Sequence, residues 1–216
     1  MTPNASVASL LEQGHDQLDK GDYAAALETF HQVAALEPQK PQVLYGLGLA
    51  CYRLERYQQS VEFLNQALEI QPNYILALAL RGLAYQQLKQ TQQAQADFEQ
   101  AIVFVPEDAD DWYGRGIALD ELQRYEDAVA SYDKAIEIKP DDSAWNNRGV
   151  ALGNLGRYED AIASYDKAIE IKPDKHEAWN NRGIALGNLG RYSDAIASYD
   201  KTIEFKPDAQ NKPKVC

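Results

Sequence analysis

Proline recurs at an almost fixed interval along this 216-residue chain. The intervals between successive members are 34, 34, 34, 33 and 34 residues, in the series Pro38, Pro72, Pro106, Pro140, Pro173 and Pro207. A constant period of this length is typical of proteins built from stacked copies of one small structural unit. We therefore expect a solenoid of six repeats rather than one or two globular domains.

Each repeat contains two stretches of about 14 residues with the apolar periodicity of a helix. Gly21, Gly156 and Gly190 lie in the break between the stretches, where a helix commonly ends on a left-handed residue. Small residues on both stretches allow two helices to approach closely. The proline follows the second stretch, because a helix cannot extend through it. The chain is thus predicted to be all-α.

The order of large and small residues resembles the tetratricopeptide repeat (TPR). The resemblance is carried by the run Trp145-Asn146-Asn147-Arg148-Gly149, then Tyr158, Ala161, Tyr165, Ala168 and Pro173, and by counterparts over about residues 7–209. It implies a right-handed α-solenoid of six helix-turn-helix hairpins. We expect one domain over residues 1–209, with repeats at about 7–40, 41–74, 75–108, 109–142, 143–175 and 176–209. Residues 210–216 are expected to form a disordered tail.

The charge of the chain limits its partners. The formal net charge is -12 and the sequence pI is about 4.7. Such a surface repels phosphate backbones, so nucleic acid is not an expected partner, whereas basic partners are favoured. The sequence contains no apolar run long enough to span a membrane, and its first residues lack the features of a signal peptide. A cytoplasmic location is therefore expected.

The resemblance implies that the first helices of the hairpins line a concave groove that holds a partner segment. Positions facing that groove are apolar or aromatic in repeats two and three, acidic in repeat four, and rich in asparagine in repeats five and six. The predicted partner-binding residues are Tyr45, Leu49, Tyr52, Leu83, Tyr113, Ile117, Asp120, Glu121, Asn146, Asn147, Asn180 and Asn181.

These residue types predict the chemistry of the partner. Tyrosines can anchor apolar side chains, carboxylates select Lys or Arg, and side-chain amides can both donate to and accept from an extended backbone. The expected partner is a protein or peptide with basic and apolar residues. Co-chaperone TPR domains instead grip an acidic C-terminus with Lys, Arg and Asn. At the matching positions this chain carries Leu11, His15, Gly46, Ala79 and Leu83, so that sub-type is not expected.

The last helix is predicted to offer a second interaction surface. Ile196, Tyr199, Ile203 and Phe205 have no evident apolar cover in the sequence. Either the chain continues in a longer parent, or this end packs on another molecule. A homo-oligomer formed through the C-terminal end is the alternative to groove binding, and both can hold.

Tryptophan and arginine recur in register with the repeat. Trp112, Trp145 and Trp179 occupy a packing position and are expected in the core. Three residues after this position stand Arg81, Arg115, Arg148 and Arg182. These arginines either lay their stems along the core and hydrogen-bond locally, or form a ladder of cations for an anionic partner. The surrounding acidity favours the local role.

Catalysis is not expected. The sequence has no Gly-x-Ser-x-Gly or His-Glu-x-x-His motif, and its two Gly-x-Gly runs lie inside predicted helices. His15 faces the groove alone, which is not the pattern of a metal site. We therefore predict a scaffold without enzymatic activity, cofactor or metal. For the asparagines of the last two repeats, recent duplication with a packing role stays open beside partner binding.

Overall fold

A computed structural model describes the backbone of residues 3–206 and the side chains of residues 7–206. The predicted disordered tail, residues 210–216, lies outside this range. Within it, the secondary structure consists of twelve α-helices and contains no strand. They are α1 (Pro3–Asp19), α2 (Tyr23–Leu36), α3 (Pro41–Arg53), α4 (Tyr57–Ile70), α5 (Ile75–Gln87), α6 (Thr91–Val103), α7 (Ala109–Glu121), α8 (Tyr125–Ile138), α9 (Asp142–Asn154), α10 (Tyr158–Ile171), α11 (His176–Asn188) and α12 (Tyr192–Phe205). The predicted all-α fold of repeated helical hairpins is confirmed.

The helices group into two compact units. Unit 1 extends to Leu122 and contains α1–α7; unit 2 begins at Gln123 and contains α8–α12. In unit 1, α1 packs on α2, α3 on α4 and α5 on α6. In unit 2, α9 packs on α10 and α11 on α12.

The breaks inside the hairpins use a left-handed residue, as the glycines predict. Gly21, Gly156 and Gly190 have φ of 76°, 74° and 71°. At the same position of other repeats, Glu55 and Lys89 adopt a φ of 61° although they are not glycine. This conformation costs a residue with a Cβ atom roughly 1–2 kcal/mol. The repeat therefore imposes the turn even where the local sequence opposes it.

Glycines on the first helices make room for aromatic rings of the second helices. In unit 1, a Cβ atom on Gly82 would lie 2.4 Å from the Phe98 ring. In unit 2, a Cβ atom on Gly149 would lie 2.5 Å from the Tyr165 ring. Both rings are buried. This close approach of helix backbone to ring builds the core of each hairpin.

Of the arginines that follow the packing position by three residues, Arg81, Arg148 and Arg182 hydrogen-bond locally, as predicted. Arg81 Nε and Nη2 donate to the two oxygens of Asp97 at 2.7 and 2.6 Å. Arg148 Nε donates to Asp133 Oδ1 at 2.6 Å, and its Nη1 donates to Ser164 Oγ at 2.7 Å. Arg81 thus links the two helices of its own hairpin, and Arg148 links its hairpin to α8 of the preceding one.

The tryptophans differ from the prediction, which placed them in the core. Trp112, Trp145 and Trp179 are only half-buried, whereas Leu44 and Leu78 at the same position are buried. An indole is too large for the space that a leucine fills, and its N–H needs a partner. Trp179 Nε1 accordingly donates to the Pro173 carbonyl at 2.8 Å. An arginine guanidinium covers each outer ring face at 5.5–5.9 Å from the ring centroid.

Candidate partner-binding surfaces

The seventh helix packs unusually closely on the fifth within unit 1. A Cβ atom on Gly114 would lie 2.9 Å from the Leu76 Cα atom and 3.0 Å from its backbone nitrogen. Only a glycine permits this approach of α7 to the first turn of α5. The approach brings Tyr113 and the acidic start of α7 to the tyrosines near the start of α5.

Three tyrosines form a cluster at this place, which we name the tyrosine cluster: Tyr45 on α3, Tyr74 immediately before α5, and Tyr113 on α7. The Tyr45 and Tyr74 ring centroids are 5.5 Å apart, and all three residues are half-buried. Burial raises the pKa of Tyr45 well above its ordinary value, and the nearby Tyr74, Tyr113 and Asp110 add to the rise. The Tyr45 phenol is therefore neutral at any physiological pH.

Carboxylates border the tyrosine cluster. Burial raises the pKa of Tyr74, and Asp110, Asp108 and Asp111 raise it further. Asp108 caps α7 by accepting from the Asp111 backbone N–H at 2.9 Å. Partial burial also raises the pKa of Asp111, even though the Glu107 N–H donates to this carboxylate at 3.1 Å. The structure thus concentrates negative charge beside aromatic surface.

The sequence prediction missed Tyr74. The residue is the N-cap of α5 and so lies outside the helical positions from which the groove was assigned. The register of the repeat could have found it. Tyr74 lies four residues before the packing position Leu78, and Asp108 and Asp141 hold the same N-terminal position in later repeats.

The other predicted residues of unit 1 lie along the same three helices. Leu49, Tyr52 and Leu83 are half-buried and pack against the buried cluster around Phe98. Ile117 and Asp120 on α7 are half-buried and Glu121 is exposed. Gln86 Nε2 donates to Glu121 Oε2 at 2.7 Å, which links the ends of α5 and α7. Glu121 therefore already has a neutral partner within the protein.

In unit 2 the four predicted asparagines form one hydrogen-bonded chain. Asn180 Nδ2 donates to Asn181 Oδ1 at 3.4 Å, Asn181 Nδ2 to Asn146 Oδ1 at 3.1 Å, and Asn146 Nδ2 to Asn147 Oδ1 at 3.1 Å. Asn146 is buried, with 7% of its surface exposed, whereas the other three are half-buried. Asn146, which is predicted to face the groove at an exposed position, is thus buried instead and bonded to Asn181 of the next hairpin.

A cavity of about 350 Å³ adjoins this chain of amides in unit 2. Its lining includes Val150, Gly153 and Asn154 from α9 and Ile184 and Asn188 from α11. Tyr158 and Tyr165 of α10, Asn181 and Ala185 complete the lining. The cavity combines apolar walls with neutral amide and phenol groups.

The last helix carries the predicted self-association residues. Ile196 and Ile203 are 61% and 75% exposed. Tyr199 is half-buried against Gly183, and Phe205 is half-buried beneath Lys201 Nζ at 5.4 Å from the ring centroid. Two of the four residues thus present aliphatic surface, while the other two contact the chain itself.

Family models for the tetratricopeptide repeat match residues 11–75, 80–143, 143–175 and 176–209. The chain belongs to the tetratricopeptide-repeat family. A search of curated proteins found no match for this TPR chain.

Solved structures share the fold at low sequence identity. YrrB, described as a TPR protein with an unusual peptide-binding site, is 22% identical with a TM-score of 0.51; the match covers 85% of this chain and 95% of YrrB. A tetratricopeptide repeat protein from Parabacteroides merdae is 24% identical with a TM-score of 0.56, covering 94% of this chain and 81% of that one. A human IFIT1 dimer with PPP-AAAA is 18% identical with a TM-score of 0.75, covering 92% of this chain and 50% of IFIT1.

Two further findings concern residues 3–206. None of the helices in this range is both long and apolar enough to cross a membrane. The same range contains no group of three or more His, Cys, Asp or Glu side chains placed to hold a metal ion.

Proposed function

We propose that this TPR protein is a binding scaffold that holds a segment of a partner protein against the faces of its first helices. The observation that carries the proposal is the tyrosine cluster of unit 1 with its border of carboxylates. Half-buried aromatic surface beside negative charge suits a partner that brings a basic side chain next to apolar ones.

In this proposal the tyrosine rings provide contact area and the carboxylates provide electrostatic attraction. The tyrosine rings offer rigid contact area at low entropic cost, and their faces attract a Lys or Arg cation. Asp108, Asp110 and Asp111 supply the charge that steers a basic segment to this place. A net charge of -12 strengthens that steering. Asp120 and Glu121 extend the acidic surface along α7.

The asparagines of unit 2 support the same role through a different chemistry. A side-chain amide offers both donor hydrogens and an acceptor oxygen, which are the groups that an extended backbone pairs with. Asn147, Asn180 and Asn181 are half-buried, so a partner's backbone can reach them. An extended segment would exchange hydrogen bonds with these groups, while Asn146 holds Asn181 in place from beneath.

The test is affinity capture from native lysate with three matched proteins. Wild type is compared with the Tyr45→Ala/Tyr113→Ala double variant and with Tyr192→Ala, which removes a 69% exposed tyrosine far along the chain. We expect wild type and Tyr192→Ala to retain the same proteins and the double variant to lose them. Circular dichroism melting must first show that all three are folded. Retention of the same proteins by the folded double variant would refute the proposal.

Self-assembly through α12 is the second candidate function. It is supported by the exposure of Ile196 and Ile203 on one helix. Burying two aliphatic side chains contributes about 3 kcal/mol, which produces association only at high concentration unless further contacts join. Light scattering over a concentration series tests it, with Ile203→Glu as the variant. A mass that stays monomeric throughout and does not respond to Ile203→Glu would exclude it.

A further inference from the structure

One position of the repeat holds a side chain in unit 1 and a glycine in unit 2. The residue eight places after the packing position is Tyr52 in repeat two but Gly153 in repeat five. Gln86 and Asp120 hold this position in repeats three and four, so glycine here is a feature of unit 2.

In unit 1 the Tyr52 side chain fills the space in front of the second helix of its hairpin. Its ring meets the ring of Tyr57 edge to face, with centroids 5.5 Å apart and an interplanar angle of 64°. Burial raises the pKa of Tyr52, and Gln87, on the first helix of the next hairpin, lies near enough to its hydroxyl to oppose that rise. The chain thus shows how a phenol side chain sits in this place.

In unit 2 two neighbours of this position have the same kind of side chain as in unit 1, but the position itself has no side chain. Tyr158 stands where Tyr57 stands in its repeat, and Asn188 stands where Gln87 stands, again with an amide. Gly153 replaces the tyrosine. The cavity of about 350 Å³ lies at this position, and its lining includes Tyr158, Asn188 and Gly153.

The lining also determines the charge of a ligand. The described residues that line the cavity are aliphatic, amide, phenol or glycine, and none carries a formal charge. A charged group that entered would lose water without gaining a counter-ion, which is unfavourable. A neutral ring with one polar end matches the apolar walls, Val150 and Ile184, and the amide rim.

We propose that this cavity binds a phenol side chain, a tyrosine of the partner segment, with its ring against Tyr158 and its hydroxyl on the Asn188 amide. The assignment rests on the proposed function in so far as a partner segment delivers the tyrosine. The cavity itself can be tested without any partner.

The probe is p-cresol, the side chain of tyrosine as a free molecule. It is titrated into the ¹⁵N-labelled full chain while amide chemical shifts are followed by NMR. We expect saturable shifts at Gly153, Asn154 and Asn188 with a dissociation constant on the order of millimolar. Benzoate and benzylammonium carry the same ring with a charged head, and each should bind at least about tenfold more weakly.

Two glycine variants provide matched controls. A Cβ atom on Gly153 would meet only the Tyr165 hydroxyl, at 3.9 Å, and a Cβ atom on Gly187 would meet nothing within 4 Å. Both helices therefore accept a side chain. Gly153→Tyr should fill the cavity as Tyr52 does in unit 1 and abolish the shifts. Gly187→Tyr, outside the lining, should leave them unchanged. Asn188→Leu should weaken p-cresol binding without affecting the fold, since Asn188 is exposed.

The outcomes separate this proposal from the proposed function. Absence of saturable shifts in wild type, equal binding of the charged probes, or unchanged p-cresol binding in folded Gly153→Tyr would each overturn the cavity assignment. If p-cresol binds as expected but capture reveals no partner that depends on the tyrosine cluster, the scaffold proposal fails and the cavity assignment stands. If capture succeeds and p-cresol does not bind, only the present inference fails.

Discussion

Arg81 on α5 makes a buried ion pair whose removal has a calculable effect. Its guanidinium donates to both oxygens of Asp97 and, through Nη1, to Asn65 Oδ1 at 2.7 Å. The side chains of Arg81 and Asp97 are 18% and 6% exposed. Burial opposes the charge on Arg81, but hydrogen bonding and attraction from Asp97 outweigh it, so the pKa of Arg81 is raised. Arg81→Leu would leave the Asp97 carboxylate buried without its counter-ion.

The size of the loss follows from that burial. Removing one member of a buried ion pair typically costs about 3–5 kcal/mol, because the other charge stays desolvated. Arg148→Leu in unit 2 is the matched control. Its partner Asp133 is 51% exposed and can return to water, so the expected loss is about 1 kcal/mol. The double variant Arg81→Leu/Asp97→Leu should recover most of the difference, since two apolar side chains then replace both charges.

Urea unfolding followed by circular dichroism measures these free energies. Hydrogen exchange at the amides of α5 and α6 shows whether the loss is in unit 1, where the pair lies. We expect the Arg81→Leu free energy of unfolding to fall below that of Arg148→Leu by at least about 2 kcal/mol. Equal losses for the two single variants, or a double variant no more stable than Arg81→Leu, would refute the assignment of the cost to a stranded carboxylate.

Two further predictions concern local strain and a buried thiol. Lys89→Gly should stabilise unit 1 by about 0.5–1 kcal/mol in urea unfolding, because glycine adopts the φ of 61° without a Cβ penalty; Gly156→Ala should do the reverse in unit 2, and a destabilised Lys89→Gly would contradict the reasoning. Burial raises the pKa of Cys51 to about 11, Glu62 adding to it and Arg56 opposing it. Its alkylation at pH 8, measured in a Cys216→Ser background, should therefore be about a hundredfold slower than after unfolding in urea; equal rates would contradict the burial.

The sequence predicted most of the fold because the repeat carries the same information six times. Gly21, Gly156 and Gly190 mark left-handed turns directly, and the structure confirms the turns. Glu55 and Lys89 adopt the same conformation, yet their residue types argue against it. Only their register within the repeat reveals the turn. Local propensity is thus overridden by the packing of the two helices on either side.

The candidate surfaces were less predictable, because they depend on contacts between repeats. The burial of Asn146 arises from Asn181, which lies 35 residues later in the chain. Tyr113 joins Tyr45 and Tyr74 through the close approach of α7 to α5, and that approach depends on Gly114. A pattern within one repeat contains neither contact. Assignment of groove residues by position alone therefore identifies the helices on which the candidate residues lie, but not which of their side chains already bond within the protein.

Comparison of the two units shows how one residue determines whether a side chain of the protein fills the space in front of the second helix. Tyr52 and Gly153 hold the same position in the repeat, and the aromatic and amide neighbours of that position are kept. With tyrosine, a neighbouring ring packs against the side chain of the chain itself; with glycine, the neighbours line a cavity. A repeat that needs its core positions for folding can thus change the shape of its surface through one residue outside the core. The near-uniform repeats of unit 2 therefore do not imply a surface without function, since the glycine that makes them uniform also opens the cavity.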